Sequence, residues 1–327
     1  MSVKILGTGS YLPPKIVTND DLKKKLDTSD EWIFSHTGIH ARHIAGDEDC
    51  TSKMAAKAAR SAMDAAGVSP EEIGLIVVAT SSPDYNTFPS TACLVQAELG
   101  CPSTGAYDLQ AACAGFVYAL DQARGWVKMN PSRKALVIGA ETLSRVVDWR
   151  DRASCILFGD GAGAVVLGDV PHEKGPDART MLWADGTGAG FISREGGARQ
   201  PRMPGSVPIP YLVLKGHDVF SFAVRSMAKV TEDLCAAEGI DPLSLDRIFA
   251  HQANGRIIEA VARRMKMPLE KFYLNIVTTG NTSAASIPIA LDEAVRKGEL
   301  APGMKIALCG FGSGLTYAGT YLQWPFL

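Results

Sequence analysis

At 327 residues, 46% hydrophobic and 21% charged, with a formal net charge of -2, the chain has the make-up of a soluble globular protein of about two domains. No block of like charges argues for nucleic acid, and no apolar run approaches the roughly 18 residues that span a membrane. The seven cysteines are scattered with no CxxC pair, which argues against a disulfide framework and a zinc site.

The opening "MSVKILGTGSYLPP" reaches glycine and proline before any long apolar stretch, so a cytoplasmic protein without a signal peptide is expected. "MAAKAARSAMDAAG" (54–67) reads as an alanine-rich helix closed by a left-handed Gly67. The runs 74–79, 135–139, 163–167 and 306–309 are short, apolar and free of period-2 alternation, as strands covered on both faces are. Strands alternating with helices predict a mostly parallel sheet in each half. "FGDGAGAVVL" (158–167) enters a strand and lacks the Lys-Ser/Thr pair of a phosphate loop, so its glycines read as close backbone packing. Residues 171–216, with "GGARQPRMPGSVPIP", fit neither pattern and read as loops walling a site.

Four stretches carry possible chemistry. "DLQAACAGFVYAL" (108–120) sets Cys113 among small residues where a loop turns into an apolar helix. A buried structural thiol is one reading. The other is a nucleophile whose pKa is lowered by the helix start, with backbone N–H groups aimed at a developing anion. Of the six histidines (His36, His40, His43, His172, His217, His251), His251 alone has a positional argument. It follows the strand "LDRIFA", at the strand end where α/β sheets keep their ligand sites. Asn254 reads equally well as the cap of the next helix, and in "TTGNTSAASIP" (278–288) so does Asn281 or Ser283. "CGFGSGLT" (309–316) follows a strand with glycines whose N–H groups suit an oxyanion hole.

An internal repeat joins these stretches. Gly67, Pro70, Ile73 and Ile76 match Gly239, Pro242, Leu245 and Ile248. "ACAGFVYAL" (112–120) matches "SAASIPIAL" (283–291), and "KALVIGAET" (134–142) matches "KIALCGFGSG" (305–314) at nearly the same offset. Matches in register argue for duplicated halves. We divide the chain at 1–171, carrying the cysteine, and 172–327, carrying the histidine and asparagine. A pseudo-twofold axis between halves brings the two apolar helices together, with Cys113 and the loop before Ala284 in one place.

Cys113, His251 and Asn281 in that order, with "GTGSYLPP", "TSDEW", "GDGAGA" and "GNTSAAS", resemble the β-ketoacyl-acyl-carrier-protein synthase III family over essentially the whole chain. The resemblance implies a thiolase-like α/β fold, a five-layer αβαβα sandwich of two pseudo-symmetric halves, normally a homodimer. It implies that Cys113 takes an acyl primer from acyl-CoA, and that His251 and Asn281 favour decarboxylation of a malonyl group on acyl-carrier protein. The resulting carbanion attacks the acyl-Cys113 carbonyl, starting fatty-acid synthesis with no cofactor. Amides of Cys113 and Ser313 would form the oxyanion hole. Trp32, His36, Arg152, Gly216 and Asn254 would contact CoA, and Phe88 would close the partner's acyl pocket. Arg256, Arg263 and Arg264 would dock the acidic carrier protein.

Three positions depart from the family's pattern. His36 stands where arginine is usual, and a neutral imidazole stacks but does not match a permanent cation at a phosphate. Ser313 replaces a glycine and would narrow the pocket; Gly255 replaces an apolar residue and would reduce carrier contact. These departures keep an alternative, a specialised relative that uses malonyl-CoA or loads polyketide primers. A thiol protease is disfavoured by the missing Cys motif and secretory signal. A non-catalytic scaffold is the remaining option.

Overall fold

The computed structural model describes residues 2–170, 177–194 and 211–325. The stretch 196–210 and His172 lie outside them. The chain begins with β1 (Val3–Tyr11), β2 (Ile16–Thr18), α1 (Asn19–Lys23), α2 (Asp30–Thr37) and β3 (Ala41–His43). Next come α3 (Thr51–Ala66), β4 (Ile73–Ala79), α4 (Thr91–Leu99), β5 (Gly105–Leu109), α5 (Gly115–Met129), β6 (Lys134–Thr142), α6 (Arg152–Cys155) and β7 (Asp160–Asp169). The rest comprises β8 (Arg179–Ala184), β9 (Ile192–Ser193), β10 (Val213–Leu214), α7 (Gly216–Glu238), β11 (Arg247–Ala250) and α8 (Gly255–Met265). It closes with α9 (Ile276–Thr279), α10 (Ser286–Arg296), β12 (Lys305–Gly312) and β13 (Thr316–Gln323).

Two large sheets result, ordered β1-β7-β6-β4-β5 and β11-β12-β13-β8. Their strands lack alternation because each face packs on a different apolar layer. In β4, Leu75, Val77 and Ala79 join one core with α5 and α10, whereas Ile73, Ile76 and Val78 join a second with α3 and α4. In β12, Ile306 and Leu308 share the α5–α10 core, and Ala307, Cys309 and Phe311 face α7 and α8. The layers therefore run helix, sheet, central helices, sheet, helix, a thiolase-like five-layer sandwich. Among the described residues no helix is long and apolar enough to cross a membrane.

The expectation of mostly parallel sheets is corrected. β6–β4, β4–β5 and β11–β12 are parallel, but β1–β7, β7–β6, β12–β13 and β13–β8 are antiparallel. β12 and β13 are joined by Ser313–Leu315 alone, far short of the roughly dozen residues a parallel crossover needs.

The repeat survives in fine detail. α3 and α7 end on left-handed Gly67 (φ 61°) and Gly239 (φ 65°). α5 and α10 each follow a 3-10 turn, at Ala112–Ala114 and Ser283–Ala285. Each turn starts with a left-handed residue, Ala112 at φ 47° and Ser283 at φ 48°. "GDGAGA" packs backbone on backbone as expected: a methyl on Gly163 would lie 2.6 Å from Ile289 N.

Candidate active site

The central helices aim their starts at one cavity of about 670 Å³, lined by Cys113, His251, Asn281, Ser283, Phe311 and Ser313 among others. Cys113 lies in the 3-10 turn before α5, His251 just beyond β11 and Asn281 just after α9. The structure thus brings together, from both halves, the three side chains singled out in the sequence.

Burial pushes the Cys113 thiol up to about 12, with the Glu141 carboxyl adding to the rise and a hydrogen bond to Ser283 opposing it. This corrects the expectation of a thiol acidified by the helix start. Desolvation disfavours the charged thiolate, which runs against the acidifying effect expected of the helix start.

His251 is 1% exposed, its backbone N–H donates to Cys309 O at 2.8 Å, and its ring meets Phe311 edge to face at 5.4 Å. Burial lowers its pKa to about 3. Nδ1 lies 2.7 Å from Ser286 Oγ, which also accepts from Gln252 N at 3.3 Å. With that N–H supplied, the Ser286 hydroxyl proton is available to Nδ1, and the neutral imidazole then carries its own proton on Nε2. Ser286 escaped the sequence reading, although it opens the helix duplicated from α5.

Asn281 Oδ1 accepts from Ser283 N at 2.8 Å, the cap-like bond expected of a helix start. Its carboxamide oxygen is thereby engaged, leaving the Nδ2 donors for the cavity. The capping and functional readings of this residue are compatible.

Behind Cys113, β12 comes so close that a methyl on Gly312 would sit 2.6 Å from Cys113 N. Thr316 Oγ1 donates to Ala111 O at 2.8 Å, tying β13 to the same turn. Ser313 turns its hydroxyl away to donate to Ile192 O in β9, so the departure from glycine braces a neighbouring strand and leaves the Ser313 amide unaltered. We predict that Gly312→Ala lowers stability by about 1–3 kcal/mol through overpacking and slows the enzyme by displacing the Cys113 amide. A thermal melt with activity assays checks this; an unchanged melting temperature contradicts the contact.

The expected CoA contacts divide. Trp32, His36, Gly216 and Asn254 line the cavity. Arg152 lies over the Trp32 ring at 4.6 Å, and His36 stacks on that ring at 4.3 Å. Asn254 both caps α8, accepting from Arg256 N at 2.7 Å, and donates to His36 O at 3.1 Å. Phe88 is absent from the cavity lining and stands 82% exposed on the loop before α4. Arg256 is committed within the chain, donating to Ser35 O and Phe34 O and pairing with Glu259 at 2.5 Å. Arg263 and Arg264 are exposed. Gly255 packs inward, where a side chain would meet Thr37 O at 3.2 Å and Gly38 Cα at 3.4 Å, so its smallness serves helix contact. Among the described residues no cluster of His, Cys, Asp or Glu is arranged to hold a metal ion.

A thiol from one half meeting an imidazole and a carboxamide from the other, across the seam of duplicated sheets, places the chain in the class of thiolase-like condensing acyltransferases. Comparison with known proteins narrows this. Residues 107–181 match the family "3-Oxoacyl-[acyl-carrier-protein (ACP)] synthase III", and residues 235–324 match its C-terminal counterpart. The chain is 49% identical over 321 residues to a "Beta-ketoacyl-[acyl-carrier-protein] synthase III" of Xanthomonas euvesicatoria, covering 98% of both chains. The 3-oxoacyl-[acyl-carrier-protein] synthase III crystal structure from Aquifex aeolicus superposes with a TM-score of 0.91 at 43% identity, covering 99% of this chain and 100% of that one. The priming β-ketosynthase of the R1128 polyketide pathway superposes with a TM-score of 0.92 at 37% identity, covering 99% and 96%. The chain belongs to the 3-oxoacyl-[acyl-carrier-protein] synthase III family.

Proposed function

We propose that this enzyme starts fatty-acid synthesis by condensing an acyl primer, carried on Cys113, with a malonyl group on acyl-carrier protein. The convergence of Cys113, His251 and Asn281 on one cavity carries the reading. In acyl transfer the Cys113 sulfur bonds to the primer carbonyl carbon, the bond to the CoA sulfur breaks, and CoA departs as the thiol. The amides of Cys113 and Ser313 hold the oxyanion, each donor worth about 3 kcal/mol.

In the second stage His251 Nε2–H and Asn281 Nδ2–H donate to the malonyl thioester carbonyl. CO2 leaves and its bonding electrons become the enolate those donors stabilise. Neutral donors suit this step, since a cationic imidazolium would protonate the carbanion. The carbanion bonds to the acyl carbonyl carbon, and the expelled Cys113 sulfur takes a proton from solvent. No cofactor enters either stage.

Trp32 and Arg152 form a stacking platform for the CoA adenine, with His36, Gly216 and Asn254 along the arm. In a homodimer, Phe88 of the partner subunit closes the acyl pocket, a role its exposure supports. Carrier-protein docking falls to Arg263 and Arg264, where long-range attraction speeds encounter; Arg256 braces the helix that presents them.

Likeness to the R1128 priming enzyme favours a second reading, polyketide primer loading. Offering the acylated enzyme malonyl-carrier protein and malonyl-CoA in parallel, each with fatty-acid-type and polyketide-type carriers, separates these. The proposal expects fastest 3-oxoacyl product on the fatty-acid carrier. Preference for malonyl-CoA or for the polyketide carrier overturns it.

A further inference from the structure

The strand that delivers His251 stops one residue short of it, and the helix that leads to Asn281 begins without a cap of its own. β11 ends at Ala250 as the edge strand of its sheet, and its outer side bridges Ile248 to Phe272, with Tyr273 N donating to Ile248 O at 2.9 Å. α9 is a single turn, and the first N–H groups of a helix have no partner within it. Asn275, at its cap position, makes no side-chain cap bond and turns its Nδ2 to Glu293 at 2.8 Å.

Gln252 serves both places. It is fully buried. Its Nε2 reaches back past His251 to donate to Ala250 O at 2.8 Å, and across to Tyr273 O at 3.0 Å. Its Oε1 accepts from Asn275 N and Ile276 N, both at 3.3 Å, and so caps α9 from outside. A carboxamide has two N–H donors and two acceptor lone pairs, and all four are used. The Gln252 backbone N–H adds the bond to Ser286 Oγ, the hydroxyl that faces His251 Nδ1. At the far end of α9, Asn281 N donates to Leu157 O at 2.8 Å and Asn281 O accepts from Gly159 N at 3.0 Å, so the turn is held at both ends.

We propose that Gln252 is the positioning residue of the malonyl stage, fixing the His251 and Asn281 segments against each other so that both side chains meet one thioester carbonyl. It acts through them and touches no reacting atom. A local cap from Asn275 would satisfy the same N–H groups but leave α9 free to shift against β11. Two donors on one oxygen are sensitive to such a shift, since about 1 Å of misplacement costs on the order of 100-fold in rate. All four bonds of the Gln252 amide stay within the second half, apart from the turn that carries Cys113. Its influence therefore falls on decarboxylation and spares acyl transfer.

The inference rests on His251 and Asn281 acting on malonyl, as proposed above. Gln252→Met keeps the length of the side chain and removes all four bonds. Gln252→Glu keeps the shape, but as a carboxylate it donates to neither carbonyl and as an acid to only one. CO2 release from malonyl-carrier protein by pre-acylated, full-length enzyme should fall about 10- to 100-fold, less in Gln252→Glu than in Gln252→Met. The KM for malonyl-carrier protein should stay unchanged, and self-acylation by acyl-CoA should stay within a few-fold of the parent. Added to His251→Ala, Gln252→Glu should cost clearly less than it does alone, because half of what it positions is gone. Equal slowing of both stages, or the same factor lost in the His251→Ala background, marks a general structural role and overturns the proposal, as does an unchanged rate of CO2 release. Should Gln252→Met fail to fold, Gln252→Glu decides by the same criteria. If His251→Ala and Asn281→Ala themselves release CO2 at the parent rate, the malonyl stage proposed above falls, and this inference with it.

Discussion

Cys113→Ala should abolish self-acylation by acyl-CoA and lower condensation by about 10⁴-fold or more, since no other atom in the turn can carry the acyl group. The loss reports chemistry because the repeat already carries alanine there: Ala284 occupies the equivalent place before α10, preceded by left-handed Ser283 as Cys113 is by left-handed Ala112. Intact-mass measurement after incubation with acyl-CoA, beside a thermal melt, gives the result. An acyl adduct persisting in the variant would show a different nucleophile.

Replacing His251 or Asn281 by alanine should have the complementary effect. Each change removes one donor to the developing enolate, so CO2 release from malonyl-carrier protein should fall about 10²- to 10³-fold. Self-acylation should stay within a few-fold of the parent. Pre-acylated enzyme mixed with malonyl-carrier protein isolates this stage. The His251 pKa, about 3, also fixes a sign. The ring protonates only in strong acid, so it contributes no inflection to CO2 release between about pH 5 and 8. Variants releasing CO2 at the parent rate would end this division of labour.

Much of this was legible in the sequence because the repeat is written in residues with local physical roles. Gly67 and Gly239 close helices in a conformation that favours glycine, and Ala112 and Ser283 begin equivalent turns. The register brought Cys113 and the loop before Ala284 to one place and a strand end marked His251, whereas the role of Asn281, otherwise open between it and Ser283 as a cap, came from the family resemblance. Strand direction was hidden, because an apolar run between two covered faces reads the same in either sense; only the brevity of the 313–315 link carries the signal. The sign of the thiol shift was hidden too, since it depends on how much protein surrounds the sulfur. Glu141, fully buried at the end of β6, passed unremarked in the sequence. Its signal was a carboxylate directly after the apolar stretch 135–140, opposite a glycine in the second copy. Arg256 shared a helix face with Arg263 by spacing, but spacing does not show that α2 offers it carbonyls.

The central claim is that one sulfur, of the seven this chain contains, takes the acyl group while the second half supplies the groups that act on malonyl. Quenching the enzyme after one turnover of acyl-CoA, digesting it and locating the acyl group by mass spectrometry tests this most directly. The account predicts a single acyl group, on Cys113, discharged by malonyl-carrier protein in the parent and retained in His251→Ala. Acyl label on Cys93, Cys50 or another thiol, or its discharge at full rate in that variant, would contradict it.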